Sequence, residues 1–272
     1  MAITSSRRVT RIAHDTRLVR HDSLAAEEPL EIRVGGRPLA VTMRTPGHDF
    51  ELAAGFLLAE GVVGGADDIS AIRYCTGDDV RRLRGRTPNE FNVLDVAGPA
   101  PVDPVRAFPV TSACGLCGRA TIDAVRTRSR YDVAGDLLTV PAAVLAGLPA
   151  RLRAAQRGFD RTGGLHAAGL FDAGGELVCV REDVGRHNAF DKVIGWASLG
   201  RRLPLRGHVI LASGRASFEL VQKAVMAGIP MLAAVSAPSS LAADLAEETG
   251  MTLVGFLRGE TMNVYSGVAR VT

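Results

Sequence analysis

Strand and helix signals alternate without interruption through the last third of the chain, and this alternation constrains the fold more than any other feature. Apolar runs at residues 208–212, 230–235 and 252–257 are separated by helical stretches at 217–228 and 239–249. That order predicts a parallel sheet, because parallel neighbours need a crossover long enough to hold a helix. Ligands of open α/β sheets bind beyond the carboxyl ends of the strands. Here those ends carry Ser213-Gly214-Arg215, Ser236-Ala237-Pro238-Ser239-Ser240 and Arg258-Gly259-Glu260-Thr261-Met262-Asn263. Helix N-termini at Ser217 and Ser239 offer free N–H groups, and Arg215 and Arg258 offer guanidinium forks, so the pattern fits a phosphate-bearing ligand. Capping and turn formation account for the same serines and glycines equally well.

Upstream the periodicity is mixed. Residues 30–34 and 39–43 flank Gly35-Gly36 and predict a β-hairpin, the glycine pair supplying the positive φ of a tight turn. Thr45-Pro46-Gly47-His48-Asp49 ends that hairpin, with Asp49 as the expected cap of a helix whose apolar face is Phe50, Leu52, Ala53, Phe56 and Leu57 and which stops at Gly61. His48 reads as part of the turn. Residues 69–75 and 91–96 predict a strand pair, which gives Cys75 a core role. Pro141 starts a helix that runs to about Gln156, and residues 167–172 and 176–180 form a second hairpin, with Cys179 buried in it. Asp183 is then the expected cap of a helix with Phe190, Val193, Ile194 and Ala197 inward, while Asp183, His187 and Asp191 share another face that could be solvated. The chain divides on this reading into an α+β segment at 1–110, a loop and helix at 111–130, and an α/β domain at 131–272.

Half of the four cysteines sit in one turn, Cys114-Gly115-Leu116-Cys117-Gly118. The glycines leave the sulfurs uncovered, and the helix start after Gly118, together with Arg119, favours thiolate over thiol. A zinc site would need a second close ligand pair, which Cys75 and Cys179 do not form. A thioredoxin-like dithiol would directly follow a strand, whereas this pair follows a stretch broken by Pro99, Pro101, Pro104 and Pro109. A disulfide staple requires an oxidising compartment. Metal, redox and sulfur chemistry all remain open to the residues alone, with an exposed reactive thiol first among them.

At 272 residues and 47% hydrophobic content the chain can bury a sizeable core. The formal net charge is +3, and every basic residue is arginine except Lys192 and Lys223. Arginine suits phosphate and carboxylate recognition, and a base bias towards arginine codons explains the same preference. Arg7-Arg8 lacks the apolar stretch of a twin-arginine export signal, being followed by Arg11, His14, Asp15, Arg17 and Arg20, and no run approaches a membrane span. A cytoplasmic protein that binds neither membrane nor nucleic acid is expected.

Taken together, Thr45-Pro46-Gly47-His48-Asp49 with Gly55-Phe56-Leu57, the Cys114 to Cys117 pair, Thr162-Gly163-Gly164-Leu165-His166-Ala167-Ala168, Arg181-Glu182-Asp183-Val184-Gly185-Arg186-His187-Asn188-Ala189 with Asp191-Lys192, Ser213-Gly214-Arg215 and Asn263-Val264-Tyr265 carry a resemblance. In this order over most of the chain, they make it similar to the formate dehydrogenase accessory sulfurtransferases, the FdhD/NarQ family. The resemblance implies a sulfur carrier that takes sulfane sulfur from a cysteine desulfurase as a persulfide. It then passes that sulfur to the molybdenum or tungsten bis(molybdopterin guanine dinucleotide) cofactor before the cofactor enters the formate dehydrogenase catalytic subunit. It further implies Cys114 as the persulfide residue and Cys117 as its support, a homodimer, and GDP as a partial mimic of the bound cofactor. The cofactor segment falls on Phe256, Leu257, Arg258, Gly259, Glu260 and Thr261, to which Arg186, His187, Ser213, Gly214 and Arg215 are added as candidates. A cytidine-deaminase-like fold with a mostly parallel sheet is implied for the C-terminal domain. Zinc deamination is not, since Arg186-His187-Asn188 and Gly214-Arg215-Ala216-Ser217 stand where H-x-E and P-C-x-x-C would be needed. The alternative function is a non-catalytic chaperone that only holds the molybdenum cofactor.

Overall fold

A computed structural model describes residues 2–75, 91–98 and 129–272. It opens with an element that the hydropathy pattern did not announce: β1 (Thr4–Ala13) and β2 (Thr16–Ala25) pair antiparallel along their whole length. Arginine, hydroxyl and aliphatic residues are interspersed on both faces of this ribbon, so no two-residue alternation marks it.

The first hairpin forms as expected from β3 (Glu28–Val34) and β4 (Arg37–Arg44), turning on Gly35 and Gly36 at φ of +57° and +80°. Leu30, Ile32 and Val34 point inward by strict alternation. Helix α1 (Asp49–Ala59) follows, then β5 (Ala71–Tyr74) and β6 (Val93–Ala97), giving a four-stranded sheet of order β4-β3-β6-β5. The expected β5–β6 pair is antiparallel, and β6 also lies parallel to β3. Asp49 does not cap α1. His48 occupies the cap position in the left-handed region, and Asp49 turns inward to hold the fully buried Arg44 through two hydrogen bonds of 3.1 and 2.9 Å. A guanidinium taken out of water needs such a bidentate carboxylate, and that demand outweighs capping.

The larger layer follows: α2 (Ala142–Ala155), α3 (Arg157–Thr162), β7 (His166–Asp172), β8 (Leu177–Asp183), α4 (Arg186–Leu199), β9 (His208–Ala212), α5 (Phe218–Met226), β10 (Met231–Ala234), α6 (Ser240–Thr249), β11 (Thr252–Arg258) and β12 (Thr261–Ser266). Its six-stranded sheet has the order β12-β11-β10-β9-β7-β8. The three strands read from the sequence, β9, β10 and β11, are parallel. The sheet as a whole is mixed rather than mostly parallel, since β7 pairs antiparallel with both β8 and β9, and β12 antiparallel with β11. Short hairpin turns at both flanks cannot make a parallel crossover, which is the reason for the difference.

Alternation along each strand divides the core. Val209, Leu211, Met231, Ala233 and Val254 face α2 through Leu145, Leu148 and Leu152. Leu170, Ile210, Leu232 and Leu253 face the other way, into one continuous core with α4, α5, α6, α1 and the inner face of the four-stranded sheet. Where α1 crosses α4, Gly55 meets the backbone of Asp191 and Gly195 meets the backbone of Glu51, with no room for a Cβ on either. Two glycines thus bring the helix backbones into direct contact.

The α4 entry differs from expectation. Gly185 stands at the cap position, and Asp183 belongs to the end of β8, where it is fully buried. Asp191 is 2% exposed, so the Asp183, His187 and Asp191 stripe is not a solvated face. Each aspartate holds a lysine at 2.7 Å, Asp183 with Lys192 and Asp191 with Lys223. Both lysines of the chain are consumed in these buried pairs.

Candidate functional site

Sheet topology gathers the candidate residues on one edge. The carboxyl ends of β9, β10 and β11 lie together because the strands are parallel. Antiparallel β7 brings its first residue, His166, to the same edge, and β8 brings its last, Asp183, directly opposite His166. The chain then turns straight into α4, so Arg186 and His187 join the rim.

Short hydrogen bonds tie this rim together. Ser213 donates its N–H to the Ala167 carbonyl at 3.0 Å and accepts from Ala167 N–H at its Oγ at 2.8 Å, clamping β7 to the loop after β9. Gly214 lies beside the His166 ring, its carbonyl accepting from Ser236 N–H at 3.3 Å, and the Ser236 carbonyl accepts from Phe256 N–H at 3.2 Å. Arg258 donates from Nε to the Val235 carbonyl at 2.9 Å, and its guanidinium carbon lies 5.8 Å from the Phe256 ring centre. Phe256 itself is held at φ +51°, a rarely populated region for a side chain of its size, and is 37% exposed.

Of the sequence-derived candidates, Arg186, His187, Ser213, Gly214, Arg215, Phe256 and Arg258 come together on this edge. Gly259, Glu260 and Thr261 form the exposed turn just beyond it, with Thr261 Oγ1 donating to the Arg258 carbonyl at 3.1 Å. Leu257 does not join them: its side chain is fully buried in the α2-facing core, because alternation along β11 points it away from the rim.

The electrostatics favour an anion. Arg215 and Arg258 are exposed, and Arg186 has its Nε buried with no hydrogen-bond partner among the described residues. The N-termini of α4 and α5 add partial positive charge at the same edge. His187 Nε2 lies 3.1 Å from Ser217 Oγ and 3.7 Å from the Glu219 carboxylate, whose pKa the neighbouring His187 holds down to about 2. Burial, then the neighbouring Arg186 and His187, push His166 below its usual pKa. An imidazole whose proton affinity is lowered, beside exposed arginines, suits a ligand carrying phosphates and a heterocycle.

Beneath the rim lies a buried hub that sequence reasoning missed. Asp183 accepts from Thr45 N–H at 3.1 Å, Gly185 N–H at 2.8 Å and Asn188 Nδ2 at 3.0 Å, besides Lys192. Lys192 also donates to the Thr45 carbonyl at 2.9 Å. The hub fixes the turn into α4 and locks it to the Thr45-Pro46 turn of the N-terminal half. Only the rarity of lysine could have pointed to it.

Cys114 and Cys117 lie outside the described residues. Cys75 and Cys179 are buried, as their strand positions led one to expect, and burial pushes the Cys179 thiol up to about 11. Neither is poised as a nucleophile.

Comparison with known proteins returns one consistent picture. The model of the FdhD/NarQ family matches residues 25–272. A sulfur carrier protein FdhD from Mycolicibacterium paratuberculosis is 57% identical over 276 residues, covering all of both chains. One from Nocardia farcinica is 59% identical over 271 residues, covering 99% of this chain and 95% of its own. Among solved structures, one described as a candidate formate dehydrogenase accessory protein from Desulfotalea psychrophila superposes with a TM-score of 0.75 at 25% identity, covering all of both chains.

Proposed function

The chain belongs to the FdhD/NarQ family, and from that premise we propose that it is a cytoplasmic, homodimeric sulfur carrier in the maturation of formate dehydrogenase. The single observation that carries this reading is the 57% identity, over the full length of both chains, to a protein named as a sulfur carrier. Cys114 is the acceptor. Its thiolate attacks the outer sulfur of a cysteine desulfurase persulfide; a new S–S bond forms, the donor S–S bond breaks, and the donor cysteine leaves as thiolate without net oxidation. Release balances if Cys117 thiolate attacks the inner sulfur of the Cys114 persulfide. Hydrosulfide then departs, and the resulting disulfide must be reduced by an external dithiol before the next cycle.

The substrate is the molybdenum or tungsten bis(molybdopterin guanine dinucleotide) cofactor, held at the rim formed by Arg186, His187, Ser213, Gly214, Arg215, Phe256 and Arg258. The Arg186 Nε, buried without a partner among the described residues, and the exposed arginines support a pyrophosphate-bearing ligand there. The order β7, β8, α4, β9, α5, β10 supports a cytidine-deaminase scaffold that has lost its metal, since neither ligand motif of such enzymes is present.

Two measurements test this. Incubated with a cysteine desulfurase and cysteine, the protein should gain one sulfur on the peptide bearing Cys114, read by non-reducing mass spectrometry, and Cys114→Ala should leave formate dehydrogenase inactive. Retention of full dehydrogenase activation by Cys114→Ala would remove the proposed acceptor. At saturating GDP the melting temperature should rise by about 5 °C. Arg258→Ala should lose most of that rise, and an unchanged rise would move the site elsewhere.

A further inference from the structure

The β1–β2 ribbon has no role in anything described so far. Its ten paired positions run without a break from Thr4↔Ala25 to Ala13↔Thr16, a reach of about 30 Å at the usual strand rise. Both faces are open over most of that length: Ile12 is 62% exposed, Leu18 61% and Val19 58%. A two-stranded ribbon is marginal on its own in water, and no other strand among the described residues pairs with either of its edges. The matched family segment begins at residue 25, so the ribbon lies almost wholly outside what defines the family.

Charge sets this ribbon apart. Five of the 32 basic residues (Arg7, Arg8, Arg11, Arg17 and Arg20) lie in it against two of the 29 acidic ones (Asp15 and Asp22), leaving 27 of each sign in the rest of the chain. The entire formal charge of +3 therefore resides in the ribbon. Cross-strand pairing puts Val9 opposite Arg20, Arg11 opposite Leu18 and Ile12 opposite Arg17, so guanidinium stems lie beside aliphatic side chains. Exposed guanidinium groups set beside open aliphatic side chains suit a partner that offers carboxylates on a partly apolar surface. Asp15 at the tip and Asp22 along β2 oppose a polyphosphate backbone. A second copy is equally ill-suited, as its body is neutral and its own ribbon repels.

The root of the ribbon matters as much as its charge. Ala26 donates to the Ile3 carbonyl at 3.0 Å, and the Ala26 carbonyl accepts from Thr45 Oγ1 at 3.0 Å. Thr45 is the residue whose N–H binds Asp183 beneath the rim. The ribbon thus springs from the wall of the candidate site.

We propose that the β1–β2 ribbon is a docking arm for an acidic surface on the catalytic subunit that receives the sulfurated cofactor, holding that protein beside the rim from which the cargo leaves. The assignment of the recipient rests on the function proposed above; the charge and placement of the arm do not. A full-length variant with Arg7, Arg8, Arg11, Arg17 and Arg20 all changed to Gln tests it, beside one with the same five changed to Lys. Association with the purified cofactor-free catalytic subunit of formate dehydrogenase is followed by biolayer interferometry at low and high salt. The Gln variant should associate about tenfold more slowly at low salt, the difference should vanish at high salt, and the Lys variant should retain most of the native rate. Equal rates for native and Gln proteins would overturn the proposal. So would arginine-dependent binding to a duplex DNA, to the desulfurase alone or to anionic vesicles in place of the subunit, or a dimer that dissociates in the Gln variant. Sulfur loading of Cys114 is measured on the same preparations. Normal loading with unchanged subunit binding rejects the arm alone, and absent loading in the native protein rejects the sulfur-carrier reading alone.

Discussion

Gly195→Ala should lower the melting temperature by about 6–12 °C, a loss of about 3 kcal/mol, although alanine is the better helix former by about 1 kcal/mol. The added methyl would lie inside the Glu51 carbonyl oxygen and 2.8 Å from Gly55 N. Both obstacles are backbone of α1, so no rotamer change relieves the overlap and the helices must separate. Separation opens the shared core along Leu52, Phe56, Phe190 and Ile194, all buried in one cluster. Gly147→Ala in α2 is the control: nothing lies within 4 Å of the point its methyl would occupy, and there the helix preference should show as a gain of about 0.5–1 kcal/mol. Thermal unfolding of the two variants side by side decides the matter. A Gly195→Ala protein as stable as the control would mean that α1 and α4 do not meet as described.

Lys192→Met should cost about 3–5 kcal/mol and abolish protection by GDP. Asp183 would keep three neutral donors but lose its counter-charge in a site where it is fully buried. The turn into α4 would loosen with it, and Arg186 and His187 with the turn. Lys192→Arg should also destabilise. Three acceptors, the Thr45 and Glu182 carbonyls and Asp183, surround a single ammonium at 2.9, 3.5 and 2.7 Å, and a planar fork cannot point at all three. Denaturant unfolding gives the stability change, and the GDP-induced thermal shift gives the positional one. A Lys192→Arg protein with native stability and native GDP response would reduce Lys192 to a generic cation.

That second variant bears on the composition. An arginine-dominated surface is explained as readily by codon bias as by function, and the rarity of the two lysines among the 32 basic residues says nothing of their role until their surroundings are seen. The hub joins Asp183, Asn188 and Lys192, neighbours along the entry to α4, to Thr45, which lies 138 positions from Asp183, so no local pattern shows that they close on one another. Asp183 and Asp49 both carry the local signature of a helix cap. Each is diverted by a buried cation that only the fold supplies. Leu257 shows the same limit at the rim: its place in a segment attributed to the cofactor says nothing of which way its side chain points.

Local patterns did determine much of the architecture. The glycine turn between β3 and β4, the extents of α1, α2 and α6, and the parallel run of β9, β10 and β11 all follow from short-range periodicity and turn chemistry, which act within a few residues and so are written in sequence. The gathering of His166, Arg186, Ser213 and Arg258 on one edge, the antiparallel pairing of β7 with β9 and of β12 with β11 that joins the expected β7–β8 hairpin into a mixed sheet, the glycine contact between α1 and α4, and the protruding charged arm belong to the tertiary structure alone. These features depend on which surfaces remain uncovered and which backbones touch once the strands have paired, and no residue carries that information until its distant partners are in place.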